Sequence, residues 1–164
     1  LTYTDALSAP IPSRLSSRFS ILLTMIRIIA VLLLLSPLAD TQTADAGLRR
    51  ILDEQTAAWN RGDLTSFMLG YWHSPDVTFF SGNKIIRGWQ PTLQRYRDKY
   101  QGSGTEMGKL SFTDENIQII GQDAALVTAR WHLEMKDGKK LDGLTTLLCR
   151  RLAEGWRIVH DHSS

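Results

Sequence analysis

The sequence predicts an α+β domain, with helices gathered at the front and packed on one face of a curved antiparallel meander. Three observations carry this. Leu48, Ile51, Leu52, Gln55 and Trp59 recur at helical spacing. Near Val77 the apolar period changes from about 3.6 to 2. From Met107 to the end, strand-like runs alternate with turn residues and no helical pattern returns.

Taken in order, the first helix lies within TADAGLRRILDEQTAAWNRGD. Asp45 is its expected N-cap, and Gly62 its expected left-handed terminator. Asp63 caps a second helix whose apolar face is Leu64, Phe67, Met68 and Tyr71, and Pro75 prevents continuation. DVTFFSGNKIIRG reads as a hairpin turning at Gly82-Asn83, with Val77, Phe79 and Ser81 on one face and Thr78 and Phe80 on the other. Gly88 and Pro91 open a third helix, striped by Leu93, Tyr96 and Tyr100. Residues 102–104 form a loop. Strands are then expected over 107–120 (one bent strand or two shorter ones), 124–135, 141–151 and 156–163, with Asp137-Gly138 as a hairpin turn.

The 164 residues contain 43% hydrophobic and 22% charged residues at a net charge of +2, the profile of a single globular domain. No Lys/Arg-rich run provides the basic stripe that nucleic acid requires. Upstream, Arg27 precedes an apolar stretch of residues 28–38, and small residues follow at Ala39, Ala44 and Ala46. This is the layout of a signal peptide, so we expect a mis-assigned leader or disordered segment over 1–24 ahead of a true start at Met25, a signal peptide over 25–46 and the mature domain over 47–164. Cleavage could follow Ala39 or Ala46. The expected location is periplasmic or secreted, with no membrane association after cleavage. Cys149, the single cysteine, lies in the apolar run LTTLLC and reads as a core residue.

The order of elements, with AAWNRGDLTSFMLGYWHSPDVTFF, GWQPTLQRYR, GQDAALVTARWHL and GWRIVHDHSS, resembles the SnoaL-like, nuclear-transport-factor-two-like superfamily from about Leu48 onward. Fainter likeness extends to the association domain of calcium/calmodulin-dependent protein kinase, through N-x-G-D, G-x-D-A-A and W-x-x-V-H-x-H. The resemblance implies a cone-shaped curved mixed β-sheet wrapped around a long N-terminal helix with two further helices, open at one end as a pocket. It also implies a homodimer formed through the outer sheet face. It does not name a reaction, because fold and chemistry separate in such families.

Ketosteroid isomerases of that superfamily use a tyrosine on the first helix and an aspartate base on the first strand. Counted without gaps from Gly62-Asp63, these places fall on Gln55 and Ser81, and neither is an equivalent. Against the kinase association domain, two pocket arginines fall on Trp131 and, after a one-residue gap, on Thr146, so an acidic ligand loses support. Trp59, Tyr71, Phe79, Trp89, Tyr96 and Trp131 are the expected aromatic wall, and Gln55, Ser81 and Thr146 the polar groups among them.

Strict alternation along the last strand places Trp156, Ile158, His160 and His162 on the pocket face and turns Asp161 away. His160 and His162 are thus the acid/base candidates of an isomerase, cyclase or dehydratase. His-x-His can also begin a metal site, but no third ligand accompanies it, so neither metal nor cofactor is expected. The leading expectation is an exported protein that binds a small apolar or aromatic molecule. The alternatives are the histidine enzyme and a dimeric assembly module with a vestigial pocket.

Overall fold

The computed structural model describes Met25, Arg27, residues 42–102 and residues 107–164. The chain divides into two units, Leu1–Asp40 and Thr41–Ser164, and the sheet with its packed helices lies in the second. The expected leader, and all but a few residues of the expected signal peptide, lie outside the described residues. Among the described residues no helix is long and apolar enough to cross a membrane.

Helix α1 is described over 42–60. It already covers Asp45, which pairs instead with Arg49 one turn on at 2.7 Å. Ala44 is buried as well, so the folded unit begins upstream of the expected boundary at 47. The end of α1 is as expected. Gly62 takes φ 79°, the Gly62 amide donates to Trp59 and the Asp63 amide to Ala58, and two otherwise orphaned carbonyls are satisfied. Asp63 then caps α2 (Leu64–Phe67) by accepting from the Ser66 amide at 2.9 Å.

The second helix is shorter than its apolar face suggests. A 3-10 turn over Met68–Gly70 ends it, and Tyr71 is already extended. Tyr71 bridges in parallel to Ile158 and the Trp72 amide donates to the Ile158 carbonyl, so sheet pairing captures the backbone before another helical turn can form. The buried set Leu64, Phe67, Met68 and Tyr71 is nevertheless the expected one.

β1 (Thr78–Ser81) and β2 (Lys84–Arg87) form the hairpin, with Gly82 at φ 58°. α3 runs Trp89–Tyr100. β3 (Lys109–Ile120), β4 (Ala124–Glu134), β5 (Lys140–Leu152) and β6 (Gly155–Ser163) form the meander. The six strands make one open, curved mixed sheet in the order β2-β1-β6-β5-β4-β3, parallel at β1-β6 and antiparallel elsewhere. The α+β cone expected from the sequence is the fold observed.

Two bulges shape the sheet. β3 is a single strand bent where Asp114 and Glu115 stand opposite Ala129 alone, with Asp114 at φ 54°. On β6, Ile158 pairs Cys149 and His160 pairs Leu148, leaving Val159 as an extra residue. The core lies between α1 and the inner sheet face, where Leu48, Leu52, Val127, Leu147, Cys149 and Ile158 are buried together.

Candidate functional site

The bulge at Val159 decides what the site contains. Side chains alternate with a period of two, so one inserted residue exchanges the faces for the rest of the strand. Trp156 and Ile158 point inward as expected. Beyond the bulge Asp161 and Ser163 point inward, while His160 and His162 are turned outward. The cross-strand register agrees. Asp161 lies beside Phe79 and Leu147, and Ser163 beside Ser81 and Thr145, all inner-face residues. His160 lies beside Thr78 and Leu148, and His162 beside Phe80 and Thr146.

The inner face encloses a cavity of about 360 Å³. α1 lends it Gln55 and Trp59, the segment after α2 Tyr71, β1 Phe79 and Ser81, α3 Tyr96, and β4 Trp131. The aromatic wall is interlocked: Phe79 stacks on Tyr96 at 5.3 Å, and Trp59 meets Phe67 and Tyr100 edge-on at 5.3 and 4.8 Å. Gln55 donates to the Phe67 carbonyl, and the Trp59 indole donates to the Gly108 carbonyl at 3.1 Å, which holds both side chains against the wall. The Trp131 indole N–H, by contrast, is buried without a partner among the described residues.

Four candidates lie off this lining. Trp89 is core: its indole donates to the Met68 carbonyl at 2.8 Å and its ring meets His73 edge-on. Thr146 faces outward, and its neighbour Thr145 is the hydroxyl that faces in. His160 and His162 pack edge-on against Phe80, outside the cavity, and His160 Nδ1 shares a 2.6 Å hydrogen bond with Thr78 Oγ1. The two histidines are therefore not placed to exchange protons with a cavity ligand. Among the described residues no three His, Cys, Asp or Glu side chains converge as metal ligands.

Asp161 stands where the histidines were expected. It is 3% exposed and accepts from Tyr71 Oη at 2.6 Å, Ser163 Oγ at 2.6 Å and Thr145 Oγ1 at 3.3 Å. The Tyr71 and Tyr96 hydroxyls are 3.4 Å apart, which extends the chain of hydroxyls along the wall. Burial raises the Asp161 carboxyl above its ordinary 3.8, because the carboxylate has lost its water. The three hydrogen bonds and the nearby His160 act in the opposite direction without cancelling it. Burial, and then the Asp161 charge, push Tyr71 and Tyr96 well above 10, so both stay protonated and able to donate. The same causes push the Cys149 thiol up to about 12, which leaves it an inert core residue.

The site also holds residues that periodicity alone did not single out: Arg95 and Lys99 on α3, Thr145 and Leu147 on β5, and Asp161 and Ser163 on β6. Arg95 and Lys99 were findable, since they flank Tyr96 and Tyr100 on the helix. Asp161 was hidden by the bulge.

A SnoaL-like domain model matches residues 48–164. Among solved structures, an NTF-2-like protein of unknown function from Shewanella oneidensis MR-1 is 36% identical over 73% of this chain and 98% of its own, with a TM-score of 0.67. An NTF2-like superfamily protein from Salmonella enterica is 22% identical over 76% and 92% of the two chains, with a TM-score of 0.64. A protein from Streptomyces avermitilis described as a candidate dehydratase of the NTF2-like family is 20% identical over 76% and 96%, with a TM-score of 0.61. The last two are likenesses of fold alone. No curated protein matches the chain.

Proposed function

The chain belongs to the SnoaL-like family, and on that premise we propose that it binds a small, largely apolar ring compound in the cavity of α1, α3 and the inner sheet face. The observation that carries this is the cavity itself: about 360 Å³ walled by interlocked aromatic rings, with polar groups set among them. An assembly module with a filled pocket fits less well, because this cavity is open. Mass spectrometry of the purified full chain under native conditions tests the reading. A co-purifying small molecule of ring type is expected. A persistently empty chain that also fails to bind apolar fluorescent probes would overturn it.

Asp161 supports a second reading, a proton-transfer enzyme of the isomerase, cyclase or dehydratase kind. A carboxyl raised by burial inside an apolar cavity holds its proton more tightly than a solvated one and is a candidate acid or base. Tyr96, which lines the same cavity and stays protonated, can donate to a developing oxyanion. The acid/base role passes from His160 and His162 to Asp161. Deuterium exchange at the α-carbon of α-tetralone, followed by NMR, tests it. Exchange that Asp161→Asn abolishes and His162→Ala preserves supports this reading; no exchange above the buffer rate refutes it for carbon acids of that type.

Export and pairing complete the proposal. Arg27 and the apolar stretch after it support a cleaved signal peptide. Cleavage after Ala39 leaves the helix from residue 42 whole, whereas cleavage after Ala46 would remove buried Ala44. N-terminal sequencing of periplasmic protein decides between the two. Leu144, 54% exposed, and Leu148 on the outer face of β5 support a homodimer across that face, and light scattering at micromolar concentration tests it.

A further inference from the structure

We propose that the ligand is an organic anion whose ring system fills the cavity and whose anionic group sits at the mouth between Arg95 and Lys99. This rests on the small-molecule reading above and adds the ligand's charge and orientation. Arg95 and Lys99 both line the cavity and lie one turn apart on α3. They flank Tyr96 and Tyr100, whose rings form the wall, so the same helical face supplies aromatic surface and positive charge.

Several other cations of the domain are engaged, whereas Lys84, Arg87 and Lys109 are free among the described residues but do not line the cavity. Arg49 pairs with Asp45 and Glu115, Arg130 with Asp142, Arg150 with Asp123, and Arg97 donates to Thr65 Oγ1. Among the described residues Arg95 and Lys99 have no carboxylate or hydrogen-bond partner. Lys99 Nζ lies 4.9 Å from the centroid of the Tyr100 ring, at the rim of the wall. Arg95 is half-buried beside Tyr96, and its charge acts on that phenol. A guanidinium partly desolvated over an apolar cavity with no counter-ion is a ready site for a carboxylate or sulfonate.

The orientation follows from the opposite sign deeper in. Asp161 is buried on the lining with its acceptor capacity taken by Tyr71, Ser163 and Thr145. Where Asp161 is ionised it repels an anion placed beside it, so the ring enters first and the charge stays outside.

Two fluorescent probes that differ only by a sulfonate separate this inference from the reading beneath it. They are 8-anilinonaphthalene-1-sulfonate and uncharged N-phenyl-1-naphthylamine, each titrated into the full-length protein. One anion near two partly exposed cations should bind about tenfold tighter than its neutral analogue. Arg95→Gln with Lys99→Gln should remove that advantage and leave the neutral probe within about twofold. Raising ionic strength from ~0.05 M to ~0.5 M should weaken the sulfonate alone. Equal binding of the two probes by the native protein, or a double variant that keeps the sulfonate's advantage, overturns the inference and leaves the small-molecule reading standing. Sulfonate binding that survives Ser81→Trp, which obstructs the mouth from β1, lies outside the cavity and also overturns it. Binding of neither probe removes both.

Discussion

Tyr71→Phe isolates the hydrogen bond that most defines the site. Tyr71 is buried at 3% exposure, and Phe keeps its ring against Phe67, so the change removes an oxygen and little packing. The lost contact is the 2.6 Å bond to Asp161, together with the longer 3.4 Å approach to Tyr96. A bond to an ionised partner contributes about 1.5–3 kcal/mol and one to a neutral partner about 0.5–1.5 kcal/mol. The cost should thus be about 2 kcal/mol where Asp161 is ionised and about 1 kcal/mol where it is protonated. Losing a donor also removes one of the effects that hold Asp161 down, so its pKa should rise further in the variant.

The sign follows from linkage. Asp161 binds its proton more tightly folded than unfolded, so its stabilising contribution is complete below its ordinary 3.8 and is lost as pH rises through its folded value. Tyr71→Phe raises that folded value, so the variant loses stability with pH more steeply than the native protein. Urea unfolding of both, and of each combined with Asp161→Asn, at about pH 4 and about pH 8 measures this. A cost that does not depend on pH, or that persists unchanged on the Asp161→Asn background, would refute the picture of an ionisable Asp161 held by Tyr71.

Three further outcomes are expected. Cys149 is 1% exposed with its thiol pushed up to about 12, so a disulfide-exchange reagent should react with the native protein only as fast as it opens, and at once in urea. His160→Ala should cost about 1 kcal/mol through the lost bond to Thr78 between β1 and β6, and His162→Ala within about 0.5 kcal/mol; paired melts and probe titrations should show neither weakening ligand retention, and a specific loss in His162→Ala would return that residue to the site. Gly143→Ala would drive a Cβ into the Trp131 ring and the Ser164 carbonyl oxygen, with a cost of about 1–3 kcal/mol in urea unfolding if the chain cannot shift.

Most of the fold was legible because its signals are local. Leu48, Ile51, Leu52, Gln55 and Trp59 share a face by spacing alone, and all five are buried. Gly62 ends α1 because it relaxes into a left-handed turn, a property of one residue and its neighbours. The Gly82-Asn83 turn and the alternation Val77, Phe79, Ser81 are equally short-range, and they placed Phe79 and Ser81 on the cavity before any tertiary contact was considered.

Tertiary structure decided whatever depended on a count accumulated along a chain. Tyr71 fits a helical face, yet the edge at Ile158 captures it into the sheet, a contact 87 residues away that no local pattern announces. The last strand carries the larger consequence. Nothing in GWRIVHDHSS marks Val159 as an extra residue, because the bulge exists only relative to the pairing of Cys149 and Leu148 on β5. One residue of slip exchanges every later side chain between the faces of the sheet. Through it Asp161 enters an aromatic cavity where burial raises its pKa, and two histidines are left on the outer face. The sequence determines which groups are available to the site, and the register between two strands determines which of them the cavity receives.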